Sequence, residues 1–179
     1  QKVFSDLNEA SVLVVGAGDT SEKTARALCS RGATNLFFTN RSPEKSAALA
    51  SELNGRTIPW SDWTNQIPGV DIVVSSTSAP GYILDRANLL PLMRLRRGKP
   101  LVLIDIAVPR DIDPEVNAMD NVFLYNVDDL QAIATGYLRQ RQEEVVRCEE
   151  IIRQKAKALT GHSSATNDST STTNPAYGG

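Results

Sequence analysis

The amino-acid sequence predicts an α/β fold: a doubly wound, mostly parallel sheet followed by one long projecting helix. Short apolar runs such as SVLVV and LVLIDI recur along residues 1–126 and alternate with stretches rich in helix-forming residues. Such runs are typical of parallel strands that helices cover on both faces. Residues 128–159 then contain no proline and a single glycine, Gly136, which predicts one uninterrupted helix.

Five strands and three helices are predicted in alternation before the long helix. Gly32 is placed to end the first helix, and Ser42 followed by Pro43 is a typical start for the second. Each crossover between parallel strands is expected to be right-handed. The predicted strands cover residues 11–15, 35–39, 71–75, 101–106 and 122–125, and the predicted helices cover residues 22–31, 43–53 and 85–97.

The long helix is expected to begin at an N-cap formed by Asp128, with Gln131 three residues later. It would be roughly 48 Å long at about 1.5 Å per residue, so it should project beyond the sheet domain and its apolar stripe needs a partner from elsewhere. The stripe comprises Leu130, Ile133, Tyr137, Leu138, Val145, Cys148, Ile151, Ile152 and Leu159.

We therefore divide the chain into three parts. These are a domain over residues 1–126, the helix over residues 127–160, and a tail over residues 161–179. The tail is rich in Ser, Thr, Asn and Gly and has almost nothing apolar to bury, so it is expected to be disordered.

Composition excludes some classes of protein and favours others. The 179 residues include 19 basic and 21 acidic side chains, so no overall basic field attracts nucleic acid or an anionic membrane. No apolar run is long enough to cross a bilayer. Two distant cysteines fit a reducing compartment, and we expect a cytoplasmic protein, or a plastid protein if the source is a plant. Because the chain begins with Gln1, we expect it to be part of a longer protein.

The stretch VVGAGDTSEKTARAL, residues 14–28, is typical of a dinucleotide-binding loop between a strand and a helix. Gly16 and Gly18 occupy the positions of the tight turn and of the close approach to the pyrophosphate, while Ser21 stands where a third glycine is usual. Thr20 and Ser21 could add hydroxyl donors at the helix N-terminus. The alternative is a turn whose glycines serve geometry alone. The predicted contacts in this loop are Gly16, Ala17, Gly18, Asp19, Thr20 and Ser21.

The end of the second strand indicates which dinucleotide is bound. An NAD site usually has an acidic residue there for the ribose 2′-hydroxyl, but this chain has Asn40-Arg41-Ser42. Arg41 could pair with a 2′-phosphate, Ser42 could donate to it, and Lys45 lies one turn further along the helix. NADPH is therefore favoured over NADH. The alternative makes Arg41 a solvated charge and Ser42 only a helix cap.

Two further segments are placed near the middle of the cofactor. Ser76 and Thr77 follow the third predicted strand in the run SSTSAP, at the point where the strand order should reverse. Ala107, after the next strand, is included among the predicted cofactor contacts. For the hydroxylic run, a plain turn is an equally good interpretation.

Five segments together resemble the NADPH-binding, Rossmann-like domain of glutamyl-tRNA reductase. They are GAGDTSEKTARAL, TNRSPEKSAALA, DIVVSSTSAP, LIDIAVPRDIDPEV and LYNVDDLQAI, and the resemblance covers residues 3–158. The block from Leu103 to Val116 is the most specific, since shikimate dehydrogenases also carry the N-R-[ST] motif. A shikimate-dehydrogenase-like oxidoreductase domain and a non-catalytic NADP-binding scaffold remain the alternatives.

The resemblance implies a V-shaped homodimer with a catalytic domain, this NADPH domain and a dimerisation domain. A cysteine thiolate of the catalytic domain attacks glutamyl-tRNA, and NADPH reduces the thioester to glutamate-1-semialdehyde for tetrapyrrole synthesis. The next enzyme of that pathway, glutamate-1-semialdehyde aminomutase, is implied as a possible partner. The nucleophile has no counterpart here, because Cys29 and Cys148 lie on apolar helix faces, where thiols are usually buried or at interfaces. We therefore expect no catalytic residue in this chain.

The resemblance does not assign a role to three charged features of the chain. Asp105 could have an active-site or domain-contact role, and Arg110 could position the catalytic domain. Arg94, Arg96, Arg97 and Lys99 form a basic run that is interpreted as a solvated helix end in preference to a phosphate track.

Overall fold

A computed structural model describes residues 7–162, with side chains described for residues 7–155. In this described part of the chain, six strands form one sheet in the order β3-β2-β1-β4-β5-β6, and every neighbouring pair is parallel. The predicted doubly wound fold is confirmed. The strands are β1 (Ser11–Val15), β2 (Asn35–Thr39), β3 (Arg56–Thr57), β4 (Ile72–Ser75), β5 (Leu101–Asp105) and β6 (Val122–Asn126).

Between residues 7 and 162, four α-helices and two 3₁₀ helices accompany the strands. They are α1 (Asp19–Ser30), α2 (Pro43–Glu52), α3 (Arg86–Leu95) and α4 (Val127–His162), with 3₁₀ turns over Trp63–Gly69 and Pro114–Ala118. The five predicted strands are present within one residue at each end. Strand β3 and both 3₁₀ turns were not predicted, because β3 is two exposed residues long and carries no apolar run.

Both faces of the central strands of the sheet are buried. Val12 and Val14 belong to the core on one face, whereas Leu13 and Val15 belong to the core on the other, as the two-residue period of a strand requires. Continuous apolar strands are thus explained by helices and loops on both sides.

Local signals end the first helix and begin the second as predicted. Gly32 has a φ of 99° and donates to the carbonyl of Cys29 at 2.9 Å, a glycine C-terminal stop for α1. Pro43 occupies the first turn of α2 after Ser42.

The start of α4 differs from the prediction. The helix begins at Val127, and the side chain of Asn126 accepts from the backbone of Asp128 and Asp129 at 2.8 and 3.0 Å. Asp129 accepts in turn from the Asn126 backbone at 2.9 Å. The cap is therefore Asn126 with Asp129, and the predicted pairing of Asp128 with Gln131 is wrong by two residues, since Asn126 ends β6 and its side chain reaches the free N–H groups first.

The chain separates into two compact units that meet between Gln131 and Ala132. In the second unit, the apolar side chains Ile133, Tyr137, Leu138, Val145, Ile151 and Ile152 are all exposed. The helix continues to His162, and the tail predicted as disordered lies outside the described residues from 163 onwards.

Candidate dinucleotide-binding site

The loop after β1 is built so that its two glycines do different things. Gly16 has a φ of 104°, its N–H donates to the carbonyl of Thr39 at 2.9 Å, and a Cβ there would overlap the carbonyl oxygen of Ser76. Gly18 is the N-cap of α1 with a φ of −89°, and a Cβ there would meet no atom within 4 Å. Gly16 thus keeps the loop closed against β2 and β4, while Gly18 leaves open space before the helix N-terminus.

Ser21 lies beneath this loop. Its side chain is fully buried, and its hydroxyl lies 3.4 Å from the carbonyl oxygen of Ser76, to which it donates. The hydroxyl is therefore bonded to the loop that follows β4. The prediction that Ser21 supplies a hydroxyl donor to a phosphate is corrected by this contact. Asp19 instead pairs with Lys23 at 2.7 Å on the exposed side of α1.

A cavity of about 460 Å³ opens at the carboxyl ends of β1, β2 and β4. This is the edge at which the order of the strands reverses, where ligands of doubly wound folds bind. Two of its residues, Trp60 and Ser78, were not among the predicted contacts. The lining consists of Ala17, Gly18, Asn40, Arg41, Ser42, Lys45, Trp60, Ser76, Thr77 and Ser78.

Five predicted contacts do not line the cavity. Gly16 and Ser21 support the loop from below, and the backbone N–H of the buried Ala107 donates to Asp105 at 3.0 Å. Asp19 and Thr20 are exposed in the first turn of α1. Their peptide N–H groups belong to the four that a helix leaves without intrahelical partners.

One end of the cavity is cationic. Arg41 and Lys45 are both exposed, and within residues 7–155 neither forms an ion pair with a carboxylate. Ser42 is the N-cap residue of α2, yet its side chain makes no capping hydrogen bond. Two unpaired cations and an uncommitted hydroxyl, with no acid in the lining, fit a ribose 2′-phosphate and do not fit the 2′-hydroxyl contact of an NAD site.

Trp60 is the residue that sequence reasoning missed at this end. The Arg41 guanidinium lies over its indole, 5.4 Å from the ring centroid, a cation–π geometry. Trp60 follows the unpredicted strand β3, which pairs with β2 and so brings residue 60 beside Arg41. The only signal in the sequence was an aromatic residue just after the apolar pair Ile58-Pro59 and three residues before Trp63.

The hydroxylic run after β4 is held from behind by a buried carboxylate. Asp111 is fully buried and accepts from the Ser75 hydroxyl at 2.7 Å, from the Thr77 backbone at 2.7 Å and from the Thr77 hydroxyl at 2.5 Å. The Thr77 side chain is thereby committed, so the cavity there is lined by a fixed loop. No pattern in the sequence indicated a partner 34 residues away.

Asp105 organises the following loop in the same manner. It is buried and accepts from the backbone of Ala107, Asp111 and Ile112, each at 3.0 Å. Burial raises the pKa of Asp105, although these backbone hydrogen bonds act in the opposite direction. Its geometry is that of a loop-holding group, and the open hypothesis of an active-site role has no support from its contacts.

Arg110 and Arg96 also differ from simple surface charges. Arg110 donates to the Asp105 carbonyl at 3.2 Å and pairs with Asp128 at 3.0 Å, linking the loop after β5 to the start of α4. Arg96 is buried, and its guanidinium donates to four backbone carbonyl groups. The interpretation of the basic run as a solvated helix end is therefore wrong for Arg96.

Neither cysteine is among the residues that line the cavity. Cys29 is half-buried against the core, where burial raises the pKa of its thiol, and Cys148 is exposed on α4. Within the described part of the chain, no cluster of His, Cys, Asp and Glu side chains could hold a metal ion. None of the helices described between residues 7 and 162 combines the length and apolar content needed to cross a bilayer.

Comparison with known proteins places this chain in a family. Residues 1–133 match the family model for shikimate/quinate 5-dehydrogenase. The glutamyl-tRNA reductase of Solibacter usitatus is 41% identical over 159 residues, which are 89% of this chain and 38% of that protein. The glutamyl-tRNA reductase of Akkermansia muciniphila is 43% identical over 153 residues, covering 86% of this chain and 45% of that protein.

A solved structure gives the same result. The glutamyl-tRNA reductase from Methanopyrus kandleri superposes with a TM-score of 0.74 at 30% identity, covering 90% of this chain and 41% of that chain. This chain spans less than half the length of each of these relatives. Such relatives imply NADPH as the cofactor, and the acid-free cationic end of the cavity fits it. The chain belongs to the shikimate/quinate 5-dehydrogenase family and corresponds to the NADP-binding domain of the glutamyl-tRNA reductases.

Proposed function

We propose that the chain binds NADPH in the cavity at the carboxyl ends of β1, β2 and β4. The unpaired cations Arg41 and Lys45, with the Ser42 hydroxyl, would hold the 2′-phosphate. The Gly18 end of the loop and the first N–H groups of α1 would face the pyrophosphate. The loop of Ser76 and Thr77 would lie along the middle of the cofactor.

We further propose that the parent protein is an NADPH-dependent glutamyl-tRNA reductase. NADPH supplies a hydride, and the residues of this chain bind and orient it while another domain presents the acyl group. The observation that carries this proposal is an acid-free cationic cavity in a chain about 40% identical to such reductases over most of its length. Reduction of glutamyl-tRNA to glutamate-1-semialdehyde then serves tetrapyrrole synthesis.

The remaining parts of the proposal concern assembly and location. A homodimer formed with the help of α4, contact with glutamyl-tRNA through the catalytic domain, and a possible contact with glutamate-1-semialdehyde aminomutase belong to the whole protein. The division into residues 1–126, 127–160 and 161–179 and a cytoplasmic or plastid location are proposed with it. The exposed apolar residues of α4 support the dimer, because they have no cover within the described chain.

Calorimetric titration with NADPH and NADH tests cofactor binding. The wild-type chain should prefer NADPH, and Arg41→Ala should reduce that preference by about 2 kcal/mol, or about thirtyfold, the size of a hydrogen bond between charged groups. Arg56→Ala is the matched control, because Arg56 is also exposed and also stacks on an aromatic ring, that of Phe37, but does not line the cavity. Equal affinity for both cofactors, or equal effects of the two substitutions, would contradict the assignment.

The assignment of activity has its own test. Incubated with glutamyl-tRNA and NADPH, the 179-residue chain should produce no semialdehyde, because the thiolate that forms the thioester belongs to a different domain. Semialdehyde production by this chain alone would refute the proposed division of labour.

A further inference from the structure

We propose that Trp60 is a positioning residue that selects NADPH over NADH by holding the Arg41 guanidinium at the cationic end of the cavity. This inference rests on the proposed function, and it names a determinant of selectivity that lies outside the nucleotide-binding loop and outside the N-R-S motif.

The indole of Trp60 is the fixed member of the pair. Trp60 is half-buried and packs against the core, and its ring lies 6.2 Å from the ring of the buried Trp63 at an interplanar angle of 40°. Just before it, the buried Ile58 donates its backbone N–H to the carbonyl of Phe38 at 2.8 Å. The segment is therefore attached to β2 immediately ahead of the turn that carries Arg41.

Arg41 is the exposed member of the pair. Its side chain is exposed and forms no ion pair with any carboxylate among the described residues, so the indole face is the contact that restrains it. An arginine side chain loses considerable rotamer freedom when it is held in one geometry. Stacking on Trp60 incurs that loss before the ligand arrives, so binding of a 2′-phosphate costs less entropy.

The stack leaves the donors of Arg41 available. Among the described residues the Arg41 guanidinium donates no hydrogen bond and forms no ion pair, so its N–H groups can form paired hydrogen bonds with phosphate oxygens. Since both residues line the same cavity, the charge is retained at the place where NADPH and NADH differ. NADH has no group for this charge to bind, so the contribution of Trp60 should be specific to NADPH.

A direct contact between Trp60 and the adenine ring makes a different prediction. Both cofactors carry the same adenine, so loss of such a contact would weaken NADPH and NADH equally. If Trp60 acts through Arg41, its replacement should have no effect once Arg41 has been removed. A double-mutant cycle measured with both cofactors separates these mechanisms.

The experiment is a titration of the 179-residue chain with NADPH and with NADH. The variants are Trp60→Ala, Trp60→Phe, Arg41→Ala and the double replacement, with Arg56→Ala as the control for loss of a cation–π contact outside the cavity. Folding of each variant is checked by thermal unfolding and near-UV circular dichroism. Trp60→Ala should lower the affinity for NADPH by about tenfold and leave the affinity for NADH unchanged. Trp60→Phe should retain most of the affinity for NADPH because it keeps an aromatic face.

The outcomes are distinct. The proposal is supported if Trp60→Ala lowers the affinity for NADPH alone and has no effect when Arg41 has also been replaced by alanine. The proposal is overturned if Trp60→Ala weakens the binding of both cofactors equally, if the losses in affinity add in the double variant, or if Trp60→Ala leaves the selectivity unchanged. None of these three results contradicts the proposed binding of NADPH itself. A wild-type chain that does not prefer NADPH overturns the proposed function, and this inference with it.

Discussion

Replacement of Asp111 by alanine should destabilise the domain strongly, because this carboxylate fixes the loop that forms one wall of the cavity. It accepts one backbone and two hydroxyl hydrogen bonds from Ser75 and Thr77, at 2.5 to 2.7 Å, in a fully buried position. Hydrogen bonds to a charged group contribute about 1.5–3 kcal/mol each and are not additive. Since the hydroxyls can turn toward other acceptors but the Thr77 N–H cannot, we expect a loss of about 3–5 kcal/mol in the free energy of unfolding.

Urea unfolding followed by tryptophan fluorescence measures this loss, because both tryptophans, Trp60 and Trp63, lie in the same unit as Asp111. Asp113→Ala is the control two residues away, since Asp113 accepts a single hydrogen bond, from the Glu115 backbone at 2.9 Å, and should cost about 1 kcal/mol. Asp111→Asn should fall between the two, because an amide keeps one acceptor and can donate to a hydroxyl. If Asp111→Ala costs no more than Asp113→Ala, the proposed support of the loop is wrong.

Three further predictions use other parts of the domain. Gly16→Ala should unfold the domain at a lower temperature than Gly18→Ala, since only the first change introduces an overlap and a strained φ; Gly18→Ala should fold and lose NADPH affinity, and the opposite order of melting temperatures would refute this. Arg96→Met should lower the free energy of unfolding by about 3 kcal/mol, because four carbonyl groups lose their donor, whereas Arg94→Met should change it by less than about 0.5 kcal/mol. Because burial raises the pKa of Asp105, its stabilising contribution is complete below the ordinary aspartate pKa and lost as pH rises through the raised value. Urea unfolding measured between about pH 4 and pH 7 should therefore show the largest excess in free energy of unfolding of wild type over Asp105→Asn at the acidic end. An excess that does not change with pH would contradict the raised pKa of Asp105.

The fold could be predicted because its strands are buried on both faces. Runs such as SVLVV are short, rich in β-branched residues and followed by glycine, which favours a strand buried on both faces over a helix. Gly32 and Pro43 mark helix ends by their backbone preferences. Strand β3 could not be predicted, since Arg56 and Thr57 are exposed and owe their extended form to pairing with β2. The predicted N-cap of α4 was wrong because the observed cap residue, Asn126, is the last residue of β6. The periodicity of a sequence does not define the exact residue at which a strand ends.

The candidate site could be predicted where its contacts are local. The prediction that Arg41 and Ser42 bind the cofactor rests on the absence of an acidic residue directly after β2. Both residues line the cavity. Trp60 could not be found, because its place depends on the unpredicted pairing of β3. Ser21 was expected at the phosphate, but the hydroxyl turns under the loop, where Ser76 offers a buried carbonyl. Residues that act through a partner distant in sequence need the structure.

Phosphorus NMR of NADPH bound to the wild-type chain tests the central claim most directly, because it observes the 2′-phosphate itself. The pKa of a free phosphate monoester is about 6, and the unpaired cations Arg41 and Lys45 should lower it in the complex. The account predicts a shifted 2′-phosphate resonance that stays dianionic to lower pH than in the free cofactor, and a return toward the free value in Arg41→Ala. A bound cofactor whose 2′-phosphate keeps its free shift and pKa would contradict the assignment of this cavity to NADPH.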